Sequence, residues 1–471
     1  MGMNRRDFIK SGARLCGASL IGGLSAPPLF GAEGPKLVVG IVSDIHVTGP
    51  GTEAPLRKIL NYFKSRDVDA VLMPGDLTDH GILDEMQRVR RTWDEVFPDG
   101  CGLNGKPVMR LAVSGNHEFE GSKYYGIPKD PVLAEQAKAA RADPLGNEKS
   151  VWEKAWGESY ERLKTWNVKG YVFVGAHFEG YGGAEGLDSY LKGVALPKDR
   201  PFFYFEHMQP NMTCGSYGAK KPGFAGRNTR PVLNAYPNAV ALAGHTHDSL
   251  TFEQSIWQDE FLSVNCSSAH FISSPDGREN SFYHPGTPRY MTSQMPITDM
   301  WGMKNALVMN VFDDRIVFER REFCRADGER LAADWVVPLS GKKVYGFEDR
   351  AKVNRAGAFP NGSKLTVGPW KTGKSRAKVE TEQLTVGFPV AVAPEGYRVF
   401  DYAVTAIAAD GSVKCRKLVY NNHCAVPLAD EDKTMTCVFS RAELGTELLR
   451  FEVRARDSFG NESVPLVSGN D

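Results

Sequence analysis

Five times in this chain an apolar run stops at a turn that carries an acid, an amide or an imidazole. Lys36-Leu-Val-Val-Gly-Ile-Val-Ser43 runs into Asp44-Ile-His46, and Ala70-Val-Leu-Met73 breaks at Pro74-Gly75 before Asp76. Val108–Val113 leads to Gly115-Asn116-His117-Glu118, Pro201–Phe205 precedes His207, and Asn238–Ala243 precedes Gly244-His245-Thr246-His247. The first run is nearly continuous in apolar residues, the pattern of a strand covered on both faces. Helical periodicity fills the gaps over 54–66, with Pro55 near the first turn, and over 84–96. The β-α-β-α-β alternation predicts a sheet with parallel strands, and such sheets place ligands at their carboxyl edge.

Asp76 is the centre of that edge. A lone Asp after a strand is ordinarily a turn former or a helix cap; here it has the company of the four other blocks. Residues i and i+2 share a face at a strand end, so Asp44 and His46 are expected to reach one ion. His245 and His247 repeat the spacing, unless a tight loop sends them to different ions. Asn116 adds a carbonyl oxygen and His207 an imidazole, and Gly75, Gly115 and Gly244 allow backbone to turn close by. Together they are a complete donor set for two metal ions, with Asp76 placed to bridge them.

The order D-x-H, G-D, G-N-H-[ED], H, G-H-x-H resembles the calcineurin-like metallophosphoesterase superfamily over roughly residues 36–335. The resemblance implies two mixed β-sheets sandwiched by helices. By motif position, Asp44, His46 and His247 would bind one metal and Asn116, His207 and His245 the other, with Asp76 shared. Iron, manganese or zinc fits such donors equally well. The implied chemistry is hydrolysis of a phosphate monoester or diester by a metal-bridging hydroxide, with His117 as leaving-group acid or charge stabiliser. Glu118 is expected to be structural. Asp79 and His80 flank the site in a Gly-Asp-Leu-Thr-Asp-His-Gly block similar to that of cyclic-nucleotide phosphodiesterases. Purple acid phosphatases have a ligand Tyr where this chain has Asp79, which sets that subgroup aside. The H-x-H-x-D-H pattern of metallo-β-lactamase-like hydrolases is absent.

The rest of the chain is less specific. Trp152, Trp156, Tyr160 and Trp166 suggest one aromatic helix packed in the core. Segments 261–265, 305–312 and 315–323 look like antiparallel strands. His177, His270, His284 and His423 match no block and are expected to be structural; Arg227, Asn228 and Arg230 lie on a loop between blocks. Beyond residue 350, short alternating runs separated by turns predict a second, all-β sandwich domain over 350–468, ending like the last strand of a fibronectin type III domain. The catalytic domain is expected over 35–340. Since every candidate ligand precedes Trp335, the sandwich should be dispensable for chemistry. The competing reading is a metal-containing recognition protein whose sandwich does the main work.

Lys plus Arg and Asp plus Glu are both 57, so no global field recruits nucleic acid, and no nucleic-acid-binding domain is evident. Residues 1–32, with Asn4-Arg-Arg-Asp-Phe-Ile-Lys10 before a Gly/Ala-rich apolar stretch, resemble a twin-arginine export signal. That stretch is too weak for a spanning helix. Export predicts a periplasmic or extracellular protein, in which the cysteines outside the segment could pair, although none shows C-x-x-C spacing.

Overall fold

Adjacent residues on a strand face opposite ways, and here both faces are apolar. Val39, Ile41 and Leu72 point into one core, Val71 and Met73 into another; Phe203 and Phe205 part from Phe202 and Tyr204 in the same way. Two sheets therefore sit face to face over the first core, each with a second core under helices on its outer side. The computed structural model describes residues 34–124, 126–178, 183–215, 226–273, 277–280, 303–325, 327–375, 379–421, 433–446 and 449–468. The export-type segment 1–32 lies outside them. Among the described residues no helix is long and apolar enough to cross a membrane.

In the first sheet Leu37–Ile41, Ala70–Pro74 and Met109–Val113 are parallel neighbours. Antiparallel strands Asn305–Val311, Arg315–Glu322 and Trp335–Pro338 extend it. In the second, Tyr171–Ala176, Phe202–Phe205, Ala239–Ala243 and Leu262–Asn265 are parallel in that order. The expectation of an antiparallel 261–265 thus fails on one side: Leu262–Asn265 is parallel to Ala239–Ala243 and antiparallel only to Ile256–Gln258. Helices Ala54–Ser65 and Leu83–Val96 cover the first sheet through Leu56, Ile59, Phe63, Val89 and Trp93.

The single aromatic helix also fails. Helix Pro144–Trp156 stops where Gly157 turns left-handed (φ 69°), and Trp166 sits on a strand, Leu163–Val168. Glycine ends helices this way because it lacks the Cβ that penalises φ > 0.

Beyond residue 365, among the described residues, all strand pairing is antiparallel, in two sheets. Glu380–Pro389 pairs with Thr366–Val367, Lys371–Lys374 and Thr434–Ser440; Asp401–Ala408 pairs with Val413–Tyr420 and Leu449–Arg456. Val386, Phe388, Phe439, Tyr402, Val404, Phe451 and Val453 form the core between them, which makes this region a β-sandwich. By internal contacts it belongs with the first part of the chain to one unit, Pro35–Asp471.

Candidate metal centre

Because the strands that carry the blocks are parallel within each sheet, Ile41, Pro74 and Val113 end at one edge of the first sheet and Phe205 and Ala243 at one edge of the second. The ligand blocks follow within five residues of each end. They are not on strands, so period-two alternation is not what aims Asp44 and His46. The strand ends at Ile41, and Asp44 (φ 50°) and His46 (φ 54°) both take left-handed backbone, as do Asp76 (φ 51°), His245 (φ 71°) and His247 (φ 54°). Such residues cost of order 1 kcal/mol each and persist where the surroundings impose them. Gly75 and Gly115 allow the close approach between blocks: a Cβ on Gly115 would lie 2.1 Å from Asp76 Oδ1, and one on Gly75 2.7 Å from His207 Nδ1.

The side chains fall into two groups. Asp44, His46 and His247 offer donors within 4.8 Å of one another, and so do Asp76, His207 and His245. His245 and His247 therefore do diverge, as a tight loop allows. Asn116 Oδ1 joins the second group 2.9 Å from His245 Nδ1. Asp76 lies between them. Its Oδ1 accepts the His117 N–H at 2.9 Å, while Oδ2 is 2.9 Å from His207 Nε2 and 3.7 Å from His46 Nε2.

These residues fit cations. His46 Nδ1 faces Asp79 Oδ1 at 2.7 Å, His247 Nδ1 faces Phe271 O at 3.0 Å and His207 Nδ1 faces Pro74 O at 2.8 Å. Each Nδ1 must carry a proton to make that bond, so in the neutral ring Nε2 holds a lone pair. The lone pairs of His46 and His247 then meet at 3.2 Å. A tetrahedral zinc with bonds of about 2.0–2.1 Å would separate two nitrogens by about 3.3 Å. His207 Nε2 lacks any hydrogen-bond partner of good geometry although it is fully buried against two carboxylates.

Charge agrees. Burial alone would raise Asp76, yet His207, His117 and His46 hold it well below the usual carboxylate range. Burial opposes charge on His117 and His207 too, but Asp76 overcomes it, with Asp79 for the first and Asp44 for the second, raising each to about 9. The buried anions recruit two imidazolium charges where cations belong. His46 is lowered by burial and by charged His117; His245 falls to about 3 by burial and charged His207.

His117 stands beside both groups, within 4.8 Å of the His46 and Asp76 donors. Its Nδ1–H is held by Asp79 O at 2.9 Å, with Asp79 Oδ1 at 3.4 Å, and Nε2 faces Asp76 Oδ2 at 3.9 Å. Glu118 joins two ligand loops by accepting from Thr78 N, Thr78 Oγ1 and Gly115 N. His80 is turned to Glu85 at 2.7 Å.

Two roles escaped the sequence. Asp79 holds both His46 and His117, and only its place three residues after Asp76 pointed to it. His270 was expected to be structural, yet its ring centroid lies 5.2 Å from that of His46, and Phe271 packs 4.1 Å from His247. His177 is buried, its Nδ1 accepting Ser114 N–H at 3.0 Å. His284 and His423 lie outside the described residues. Arg230 is tied to Met212 O and Glu260, and Arg227 to Phe178 O.

Residues 37–249 match the family model of the calcineurin-like phosphoesterase. No curated protein matches the chain. Solved structures that the chain matches include a dimetal phosphatase from Danio rerio, 14% identical, covering 65% of this chain and all of that one at a TM-score of 0.35. Purple acid phosphatase PPD1 from yellow lupin is 14% identical, with 64% of this chain and 55% of that one covered at a TM-score of 0.38. GAP50, the anchor in the inner membrane complex of Plasmodium, is 12% identical over 65% and 89% of the two chains at 0.37.

Proposed function

Taking residues 37–249 as a calcineurin-like phosphoesterase domain, which makes the chain a metal-dependent phosphoric ester hydrolase, we propose that it is an exported dinuclear enzyme acting on phosphate monoesters or diesters. The observation that carries the dinuclear reading is the pair of donor groups meeting at Asp76 Oδ2. Asp44, His46 and His247 would hold one ion, Asn116, His207 and His245 the other, and Asp76 both. When bound, the ions supply Lewis acidity toward water and phosphoryl oxygen.

The chain's own residues do the rest. Asp79 and the carbonyls of Pro74 and Phe271 fix three imidazoles with Nε2 inward. His117, with Nδ1–H held by Asp79, presents Nε2 to the site and donates a proton there to a departing oxygen. Export rests on the twin-arginine-like segment, and the C-terminal sandwich is of fibronectin type III type. The test is a panel of phosphate monoesters and diesters with manganese-, zinc- and iron-loaded protein. Hydrolysis of at least one class, lost on chelation, is expected; fully loaded protein inert to all would count against the reading. Fractionation of expressing cells tests export.

A further inference from the structure

We infer that the C-terminal sandwich positions the metal ligand His247, through two segments that leave the metal centre and are both fastened to it. This rests on the dinuclear reading above and goes beyond it. His247 is held from both sides: its Nδ1–H by Phe271 O at 3.0 Å, its own carbonyl by Ser273 N–H at 2.8 Å. From there the chain runs two ways, and both segments contact the sandwich.

The first is Asp248–Ser255, buried throughout. Phe252 stacks on Phe400 of the sandwich at 4.9 Å between ring centroids, and Glu253 N donates to Ser458 Oγ at 3.1 Å. The Glu253 carboxylate sits between Arg320 and Arg350, one from each side of the junction, and accepts Trp335 Nε1–H at 3.3 Å. The second follows Phe271. Arg278 donates twice to buried Asp401 Oδ2, at 2.9 and 2.7 Å. Glu279 N donates to Leu418 O at 2.8 Å, and Asn280 makes a reciprocal pair with the Tyr420 backbone, at 2.7 and 2.9 Å. Between the segments Phe252, Ile272, Met303, Phe400 and Tyr420 form a buried apolar cluster of their own. The fit is tight: a Cβ on Gly396 would lie 2.6 Å from that of Ala333.

The sandwich is therefore fastened to the half-site that His247 shares with Asp44 and His46. His207 and Asn116 belong to turns that none of these contacts reaches directly, and His245 shares the turn of His247 but none of the contacts that hold it. A chain cut near residue 345 would remove Arg350 from Glu253 and uncover the Phe252 cluster, so the expectation that the sandwich is dispensable for chemistry is replaced here by the opposite one.

The test uses full-length Phe252→Ala and Asn280→Ala, the second removing two part-buried hydrogen bonds and leaving the apolar cluster whole. Two readouts are taken. In metal-free protein, amide exchange at Ser273, whose N–H bonds to His247 O, should quicken in both variants. In manganese titrations, one of the two sites should weaken by about 10–100-fold, the range for residues that orient a ligand, while the other keeps its affinity. Unchanged exchange at Ser273, or two unaltered sites alongside a lower Tm, would reduce the junction to a structural joint and overturn the inference. Wild-type protein that binds no second manganese would instead sink the dinuclear reading, and the exchange result would still judge the clamp.

Discussion

Replacing Asp79 by Asn keeps the shape of the side chain and removes its charge. Asp79 Oδ1 is 2.7 Å from His46 Nδ1 and 3.4 Å from His117 Nδ1, with 17% of the side chain exposed. Hydrogen bonds to a charged group contribute about 1.5–3 kcal/mol, and the partial exposure points to the lower half of that range. At about 1.4 kcal/mol per factor of ten, the orientation of His46 alone is then worth roughly tenfold to fortyfold in metal affinity. An Asn can also rotate its NH₂ toward His46, which favours the tautomer with the proton on Nε2 and so blocks the atom that faces His247. Asp79→Asn should therefore bind metal about 10–100-fold more weakly, as removal of a ligand's supporting acceptor generally does. The assay is competition between the protein and a chromogenic chelator for zinc, with the Tm of the metal-free form checking the fold. An affinity within about twofold of wild type would refute the claim that Asp79 holds His46 for the ion.

The remaining expectations concern two histidines. His117→Asn should lose about 10²–10⁴ in kcat/KM on an alkyl phosphate ester but far less on the nitrophenyl ester, whose leaving group needs no proton. Metal content should stay unchanged; an equal loss on both esters would make His117 a stabiliser of phosphoryl charge. His177 is pushed down to about 3 by burial and by Lys164, against about 6.5 in an unfolded chain. Below about pH 6.5 the unfolded chain takes up a proton that the folded chain refuses, so stability falls as pH falls towards 3. The slope is up to about 1.4 kcal/mol per pH unit, with nothing contributed above about pH 7. Thermal unfolding between pH 7 and 5 should show His177→Gln less acid-sensitive than wild type; parallel curves would contradict this.

Local patterns made the sheets and the ligand blocks readable. Runs such as Ala70–Met73 are apolar at every position because both faces are covered, and the glycines mark where backbones approach. Aim was not readable: five candidate ligands stand at positive φ, a property of the assembled turns rather than of residue type. Period two therefore predicted the correct neighbour for Asp44 and His46 by an incorrect route. Trp166 misled because aromatic spacing on a strand can imitate a helix over a short window; Gly157 was the stop signal. The junction was invisible for a different reason. Glu253 and Arg350 are nearly a hundred residues apart, and only the folded chain brings their charges together.

On the dinuclear reading, Asp76 ties two metal ions into one centre. Metal-loaded wild-type protein, freed of excess ion and measured by elemental analysis, should hold two ions per chain. Asp76→Ala, folded by circular dichroism and treated identically, should lose both together and with them all hydrolysis. Two ions retained in Asp76→Ala, or a wild-type protein that never exceeds one, would show that Asp76 does not bridge a pair of ions.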